Sequence, residues 1–232
     1  MSQSPDDGLV LLWSGGKDAM LTLDVLHSQS PRRVDALLTT VVEDVDTVTM
    51  HGTPLSLIRR QAEALGLPLH VMRVPPNASN ATYEARLERT LGPLLAEGMG
   101  VVAAGDLFLE DVKAYRERVL EQLGARPLFP LWRRDTDWLA RRFLERGYRA
   151  VVTSVDQTQL DAAFVGRAYD ASFLDELPAG IDPCGEHGAF HTFVVDGPPF
   201  DAPVPVRVGE PHGEGRMRYV RLHPPAPEGE AE

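Results

Sequence analysis

Two short stretches hold most of the residues able to do chemistry. The first is Ser14-Gly15-Gly16-Lys17-Asp18-Ala19. An apolar run from Leu9 to Trp13 precedes it. Met20, Leu23, Leu26 and His27 recur at helical spacing behind it. The glycines therefore sit at a strand-to-helix turn, where the missing Cβ lets the backbone take φ > 0 and approach a ligand closely. Amide groups of the turn and of the new helix form a cradle for an anion. Lys17 adds a positive charge at the rim. Asp18, in the first helical turn, suits the helix dipole and can help hold a metal. The plain alternative is an ordinary glycine-rich turn, but strand, Ser, Lys, Asp and helix all in register favour phosphate. The phosphate loops GxxxxGK[ST] and GxGxxG are both absent.

The second stretch is Asp182-Pro183-Cys184-Gly185-Glu186-His187-Gly188-Ala189-Phe190-His191-Thr192. Three readings stay open for it. As an active-site loop, Glu186 and His191 would contact substrate or handle protons. As a metal site, Cys184, His187 and His191 have C-x2-H-x3-H spacing but no obvious fourth ligand. As a polar turn, it would simply lead into an edge strand.

The elements that must position these stretches alternate. Strands are predicted over 9–13, 34–42, 68–74 and 100–104, with helices between them at 17–28, after Thr53-Pro54, and at 82–97. Thr53-Pro54 reads as an N-cap and first helical residue. Pro93 predicts a kink or two short pieces in the third helix. The segment 46–52 reads as a loop. This alternation implies a doubly wound parallel sheet, with ligands at the carboxyl ends of the strands. Thr39 and Thr40 close the second strand and Gly105 and Asp106 the fourth, on the same rim as Ser14. Plain β-propensity is the other reading of the two threonines. Beyond them come a helix over 111–123, a short strand over 126–132, a helix over 136–146, a strand over 150–155, and β-like segments at 191–195 and 217–222. Residues 201–208 read as an extended sheet edge. The expected organisation is a phosphate-binding α/β domain over 1–120, a smaller C-terminal α+β domain over 121–223, and a disordered tail over 224–232.

Composition narrows the function. The chain has 232 residues, 43% hydrophobic and 25% charged, as in a globular protein with a substantial core. A net charge of −11 argues against general nucleic-acid or anionic-membrane binding. No apolar run reaches membrane-spanning length, and no signal peptide is visible. The single cysteine, Cys184, excludes an internal disulfide framework and fits a reducing cytoplasm. Nearly all basic residues are arginine, so Lys17 stands out, and a compact ammonium suits a phosphate loop.

The loop SGGKDA resembles the SGGxDS pyrophosphate loop of the N-type ATP pyrophosphatases. Five further segments occur in the order found in one branch of them: Gly-Asp-Leu-Phe-Leu-Glu-Asp at 105–111, Pro-Leu-Phe-Pro-Leu-Trp at 127–132, Phe-Val-Gly-Arg at 164–167, Asp-Pro-Cys-Gly-Glu at 182–186 and Phe-His-Thr-Phe-Val at 190–194. The chain is thereby similar to the diphthine–ammonia ligase-like ATP pyrophosphatases from about Leu9 to Leu222. The family usually has Ser at position 19 and Asn at position 187, where this chain has Ala19 and His187. Both departures touch site loops, so a different substrate is one expectation.

The resemblance implies an activity. ATP activates a carboxylate as an acyl-adenylate with release of pyrophosphate, and ammonia displaces AMP to form an amide. In eukaryotes and archaea the family's carboxylate belongs to the modified histidine of elongation factor 2. The expected cofactors are ATP and Mg²⁺. Ser14, Gly15, Gly16, Lys17, Asp18, Thr39, Thr40 and Gly105 are expected to bind ATP, and Asp18 and Asp106 to hold Mg²⁺. Lys17, Asp106, Glu186 and His191 are the catalytic candidates. His51, Arg167, Cys184, Gly185, Glu186, His187 and Thr192 are the candidates for binding substrate. The expected partners are a small-molecule or protein-borne carboxylate and free ammonium, and a homo-oligomer is left open. An ATP-binding regulatory module and a tRNA-modifying pyrophosphatase are the rival readings. The first needs no second constellation, and the second commonly needs a cysteine pair.

Overall fold

The computed structural model describes residues 7–29, 33–49, 52–213 and 215–225. His51 and most of the expected disordered tail, 226–232, lie outside the described residues.

The first half folds as a parallel sheet. Its strands are β1 (Leu9–Leu12), β2 (Ala36–Val42), β4 (Leu69–Val74), β5 (Val101–Ala103) and β6 (Arg126–Leu128). Their spatial order is β4-β2-β1-β5-β6, all parallel. Chain order therefore runs outward from β1 in one direction to β4, then restarts on its other side with β5 and β6. That reversal makes a crevice at the carboxyl ends of β1 and β5. A two-residue antiparallel strand, β3 (Thr47–Val48), pairs with Val41 and Val42. Because β4 occupies the other edge of β2, β3 takes the edge that β1 vacates when it turns into the Ser14 loop.

Side chains alternate across the sheet as the strand period requires. Leu9, Leu11, Leu37, Val41 and Val101 pack on one face with α1 (Lys17–Gln29) and α2 (Leu55–Ala64). Val10, Ala36, Leu38, Met72 and Val102 pack on the other face with α3 (Asn80–Ala96) and α4 (Glu110–Gln122). The doubly wound parallel sheet expected from the sequence is present.

The second half carries an antiparallel sheet in the order β8-β7-β10-β9. Its strands are β7 (Arg149–Asp156), β8 (Phe190–Asp196), β9 (Arg207–His212) and β10 (Met217–His223). With α5 (Thr136–Glu145) and the short α6 (Ala171–Asp175), it packs on the α1–α2 face, and one apolar cluster runs through both halves. Helix α1 is thus covered on all sides, which is why Ala19, Met20, Leu21, Leu23, Val25 and Leu26 form no single stripe.

Five expectations need correction. Helix α3 is one 17-residue element with Pro93 inside it, not two pieces. Pro93 falls in the last turn, where it forfeits one hydrogen bond, while Leu87, Leu91 and Leu94 hold the helix on the sheet. Helix α2 starts one residue late: Pro54 is its N-cap, and Thr53 makes no side-chain cap. The segment 46–52 contains β3 and is not wholly loop. Only Arg126–Leu128 of the run to Trp132 is strand, and the extended edge begins at Arg207.

Candidate active site

The Ser14 loop lies at the switch point. Trp13 donates its backbone N–H to the Leu38 carbonyl at 2.8 Å, and the chain then leaves the sheet. Gly15 has φ +79, in the left-handed region that favours glycine. A Cβ there would lie 2.6 Å from Ile58 Cδ1 and 2.7 Å from Gln61 Oε1. A Cβ on Gly16 would lie 2.9 Å from the Thr192 carbonyl oxygen. The glycines therefore admit α2 and β8 to the back of the loop, leaving its front to the crevice. Gly105 serves packing as well: a Cβ there would meet Thr22 Oγ1 at 2.9 Å and the Asp18 carbonyl oxygen at 3.0 Å.

A cleft of about 710 Å³ opens in front of the loop. Ser14, Asp18, Ala19, Gly105, Asp106 and His191 line it at the switch point, with Thr40, Tyr83 and Tyr115 further along. Volume and lining suit a ligand of nucleotide size. The two threonines part company here. Thr40 lines the cleft, whereas Thr39 points to the opposite face with Leu37 and Val41 and is fully buried.

The second stretch is brought onto the first. The Thr192 hydroxyl accepts from the Lys17 backbone N–H at 3.1 Å, and Val194 donates its N–H to the Gly15 carbonyl at 2.9 Å. The Lys17 side chain is 2% exposed and so is not the rim charge expected from the sequence. Its ammonium donates to the Asp18 carboxylate at 2.8 and 2.9 Å and to the Cys184 carbonyl, and lies 5.7 Å from the centre of the Phe190 ring. Burial opposes its charge, but Asp18 and Asp182 more than offset this, so its pKa is raised and it stays an ammonium.

Asp182 shapes the loop. One carboxylate oxygen accepts from the N–H of Cys184 at 2.8 Å and of Glu186 at 3.3 Å, and the other from the Thr136 hydroxyl at 2.6 Å. Gly185 is left-handed, at φ +74, and a Cβ there would lie 2.7 Å from the Phe190 carbonyl oxygen. His187 also has positive φ, +61. His is among the few non-glycine residues enriched in that conformation. Burial, with the nearby Asp18 and Asp182 charges, raises the pKa of Glu186, and Lys17 opposes them. One Glu186 carboxylate oxygen is buried without a hydrogen-bond partner.

The remaining candidates are placed as follows. Asp106 pairs with Arg116 at 2.9 Å on the cleft wall. Arg167 pairs with Glu176 at 2.8 Å and stacks on Phe164, 5.0 Å from its centre, apart from the cleft lining. Cys184 is buried, its thiol aimed at the Thr136 carbonyl at 3.5 Å, and burial pushes its pKa far up. Among the described residues no three His, Cys, Asp or Glu side chains gather into a metal set, so the zinc reading of Cys184, His187 and His191 has no geometric support. Sequence reasoning passed over Gln61 and the positioning role of Asp182. Gln61 had a signal, being a polar residue inside the apolar stripe Leu57-Ile58-Ala62.

A doubly wound sheet with a glycine-rich turn at its switch point is the architecture of nucleotide-binding α/β proteins. Within that class the chain belongs to the diphthamide synthase family: the family's N-terminal domain matches residues 8–127 and its C-terminal domain residues 135–222. The chain is 25% identical over 234 residues to a diphthine–ammonia ligase of Schizosaccharomyces pombe, covering 91% of this chain and 38% of that one. It therefore spans well under half of that relative. A Danio rerio diphthine–ammonia ligase is 24% identical over 250 residues, covering 93% of this chain and 95% of the relative. The Homo sapiens protein of that name is 33% identical over 110 residues, 45% of this chain and 40% of the relative. A solved Methanocaldococcus jannaschii structure, titled as a subunit of tRNA methyltransferase, aligns over 81% of this chain and 96% of its own, with TM-score 0.42 and 17% identity.

Proposed function

We propose that the protein is an ATP-dependent amide ligase of the diphthine–ammonia ligase type. A substrate carboxylate attacks the α-phosphate of ATP, giving an acyl-adenylate and pyrophosphate. Ammonia then attacks the acyl carbon, AMP leaves, and one amine proton is lost. The observation that carries this reading is the seat of the 182–192 loop on Lys17, through the Cys184 carbonyl and the Thr192 hydroxyl. It brings Glu186 within electrostatic reach of Asp18, which lines a nucleotide-sized cleft.

Roles follow from position. Backbone amides of Ser14 to Gly16 meet the phosphates and stabilise the departing pyrophosphate, that of Lys17 being held by the Thr192 hydroxyl. Lys17, behind the loop, supplies charge through it and holds the 182–187 turn. Mg²⁺, when bound, neutralises phosphate charge, and a triphosphate needs only one or two carboxylates beside it to hold the ion. Asp18 and Asp106 both line the cleft and fit that need. Glu186, with its raised pKa, takes the proton released by the attacking amine, and His191 lines the cleft.

Incubation with ATP, ammonium and a candidate carboxylate tests this, with diphthine-bearing elongation factor 2 and small carboxylic acids as arms. The expected products are AMP, pyrophosphate and amide in equal amounts. Formation of ADP and phosphate, or absence of ATP binding, overturns it. Glu186→Gln should keep ATP binding and abolish amide formation.

A further inference from the structure

We propose that Gln61 is a positioning residue that sets the phosphate-binding shape of the Ser14 loop. This rests on the reading of that loop as the ATP site. Gln61 lies on α2, 0% exposed, in an otherwise apolar interface. A buried amide is costly unless its groups are satisfied, and here each has a partner. Its side-chain nitrogen donates to the Gly15 carbonyl at 3.0 Å and to the Val194 carbonyl at 2.6 Å. Its oxygen accepts from the Trp13 indole N–H at 2.9 Å. The orientation has no alternative, because the indole can only donate and the two carbonyls can only accept.

The three contacts fall on consecutive parts of one device. Trp13 is the last residue before the loop, Gly15 is its left-handed residue, and Val194 is the β8 residue whose own N–H donates to the same Gly15 carbonyl. With two donors on its oxygen, the Gly15–Gly16 peptide cannot rotate. Its N–H points the opposite way from that carbonyl, to Ser14, whose hydroxyl accepts from it at 3.3 Å and which lines the cleft. Gln61 reaches the phosphates only through this peptide and does not line the cleft. Residue 61 therefore governs the phosphate end of the nucleotide, not its base.

The test compares ATP, pyrophosphate and adenosine binding to wild type and Gln61→Met, which keeps the length of the side chain and removes its donors. ATP and pyrophosphate affinity should fall roughly tenfold or more, the cost of one or two lost hydrogen bonds, while adenosine affinity stays unchanged. In wild type the Gln61 side-chain NH₂ signals should be slow to exchange with solvent and should shift when pyrophosphate is added. Equal loss for all three ligands would mark a merely structural role and overturn the proposal, as would unchanged pyrophosphate binding in a folded Gln61→Met variant. If that variant does not fold, unshifted, fast-exchanging Gln61 NH₂ signals in wild type would overturn it. A wild type that binds no ATP would instead sink the functional reading.

Discussion

The backbone N–H of Lys17 donates to the Thr192 hydroxyl at 3.1 Å across 175 residues of sequence. Lys17 is the first residue of α1, where a helix has an amide with no partner of its own. The residue before it, Gly16, has no side chain with which to cap. Thr192, 3% exposed on β8, supplies the missing acceptor from the other half of the molecule. Thr192→Val keeps the shape and leaves a buried N–H unpaired. It should cost about 1–3 kcal/mol in unfolding free energy, read by denaturant titration, with Thr192→Ser close to wild type.

Lys17 joins the two loops through its side chain as well. Lys17→Ala would leave the Cys184 carbonyl without its donor and set Asp18, Asp182 and Glu186 facing one another without a cation. The 182–187 turn should loosen, and ATP affinity should fall because the Ser14 loop loses both the charge behind it and its support. Cys184 reports the loosening. In the native protein its thiol is buried and its pKa pushed up, so it should resist a disulfide-exchange reagent. Lys17→Ala should speed labelling clearly below the unfolding transition. Unchanged labelling would mean that the turn holds without the ammonium.

Glu186 makes stability depend on pH with a definite sign. Burial and the neighbouring Asp18 and Asp182 charges raise its pKa in the folded protein. A carboxyl raised on folding helps stability while it is protonated, and that help is lost as pH rises through the folded pKa. Glu186→Gln removes the ionisation. It should match wild type in acid and be the more stable of the two at neutral pH and above, as compared by denaturation midpoints. On the proposed mechanism its ligation rate should be negligible throughout, whereas wild-type ligation should fall on the acid side at a pH above that of an ordinary glutamate.

What was legible in the sequence was local. The apolar run to Trp13, the two glycines and the helical spacing behind them required nothing distant, and the turn sits where they imply. The βα alternation was equally local, and it yields the parallel sheet. Thr39 and Thr40 mark the limit. Alternation assigns them to opposite faces, but which face meets the cleft depends on which side of the sheet the C-terminal half covers. The two-residue strand β3 exists only because β1 leaves an edge of β2 open, so no pattern within 46–52 announces it. Gln61 sat inside an apolar stripe as a visible anomaly, yet its partners Trp13 and Val194 lie 48 and 133 residues away. His187 could be read from the sequence as part of a polar turn, but its left-handed backbone could not.

Asp24 shows the same dependence on distant residues, and here the prediction concerns the whole fold. It is 4% exposed in the middle of α1. Its carboxylate accepts from Arg142 at 3.0 Å, from Arg146 at 2.7 and 3.0 Å, and from the Tyr148 hydroxyl at 3.2 Å. These donors lie on α5 and just beyond it, so Asp24 braces the helix that begins at the phosphate loop against the C-terminal half. Asp24→Ala strips a buried network of its acceptor and should destabilise by about 3–5 kcal/mol. Because α1 carries the loop, partial unfolding of this brace should also weaken ATP binding, and Asp24→Asn should recover part of both. Tyr148 provides an independent check. Burial, and then the Asp24 charge, push its phenol well above the usual tyrosine range. Its contribution is therefore intact below the unfolded value of about 10 and is lost as pH climbs beyond it. Burial also raises Tyr169 and Tyr115, so the comparison is made against Tyr148→Phe: ultraviolet titration should show a late-ionising tyrosine that disappears in Tyr148→Phe and ionises earlier in Asp24→Asn. If the tyrosine missing from Tyr148→Phe titrates unchanged in Asp24→Asn, the cause is burial alone and the electrostatic part of the brace is removed.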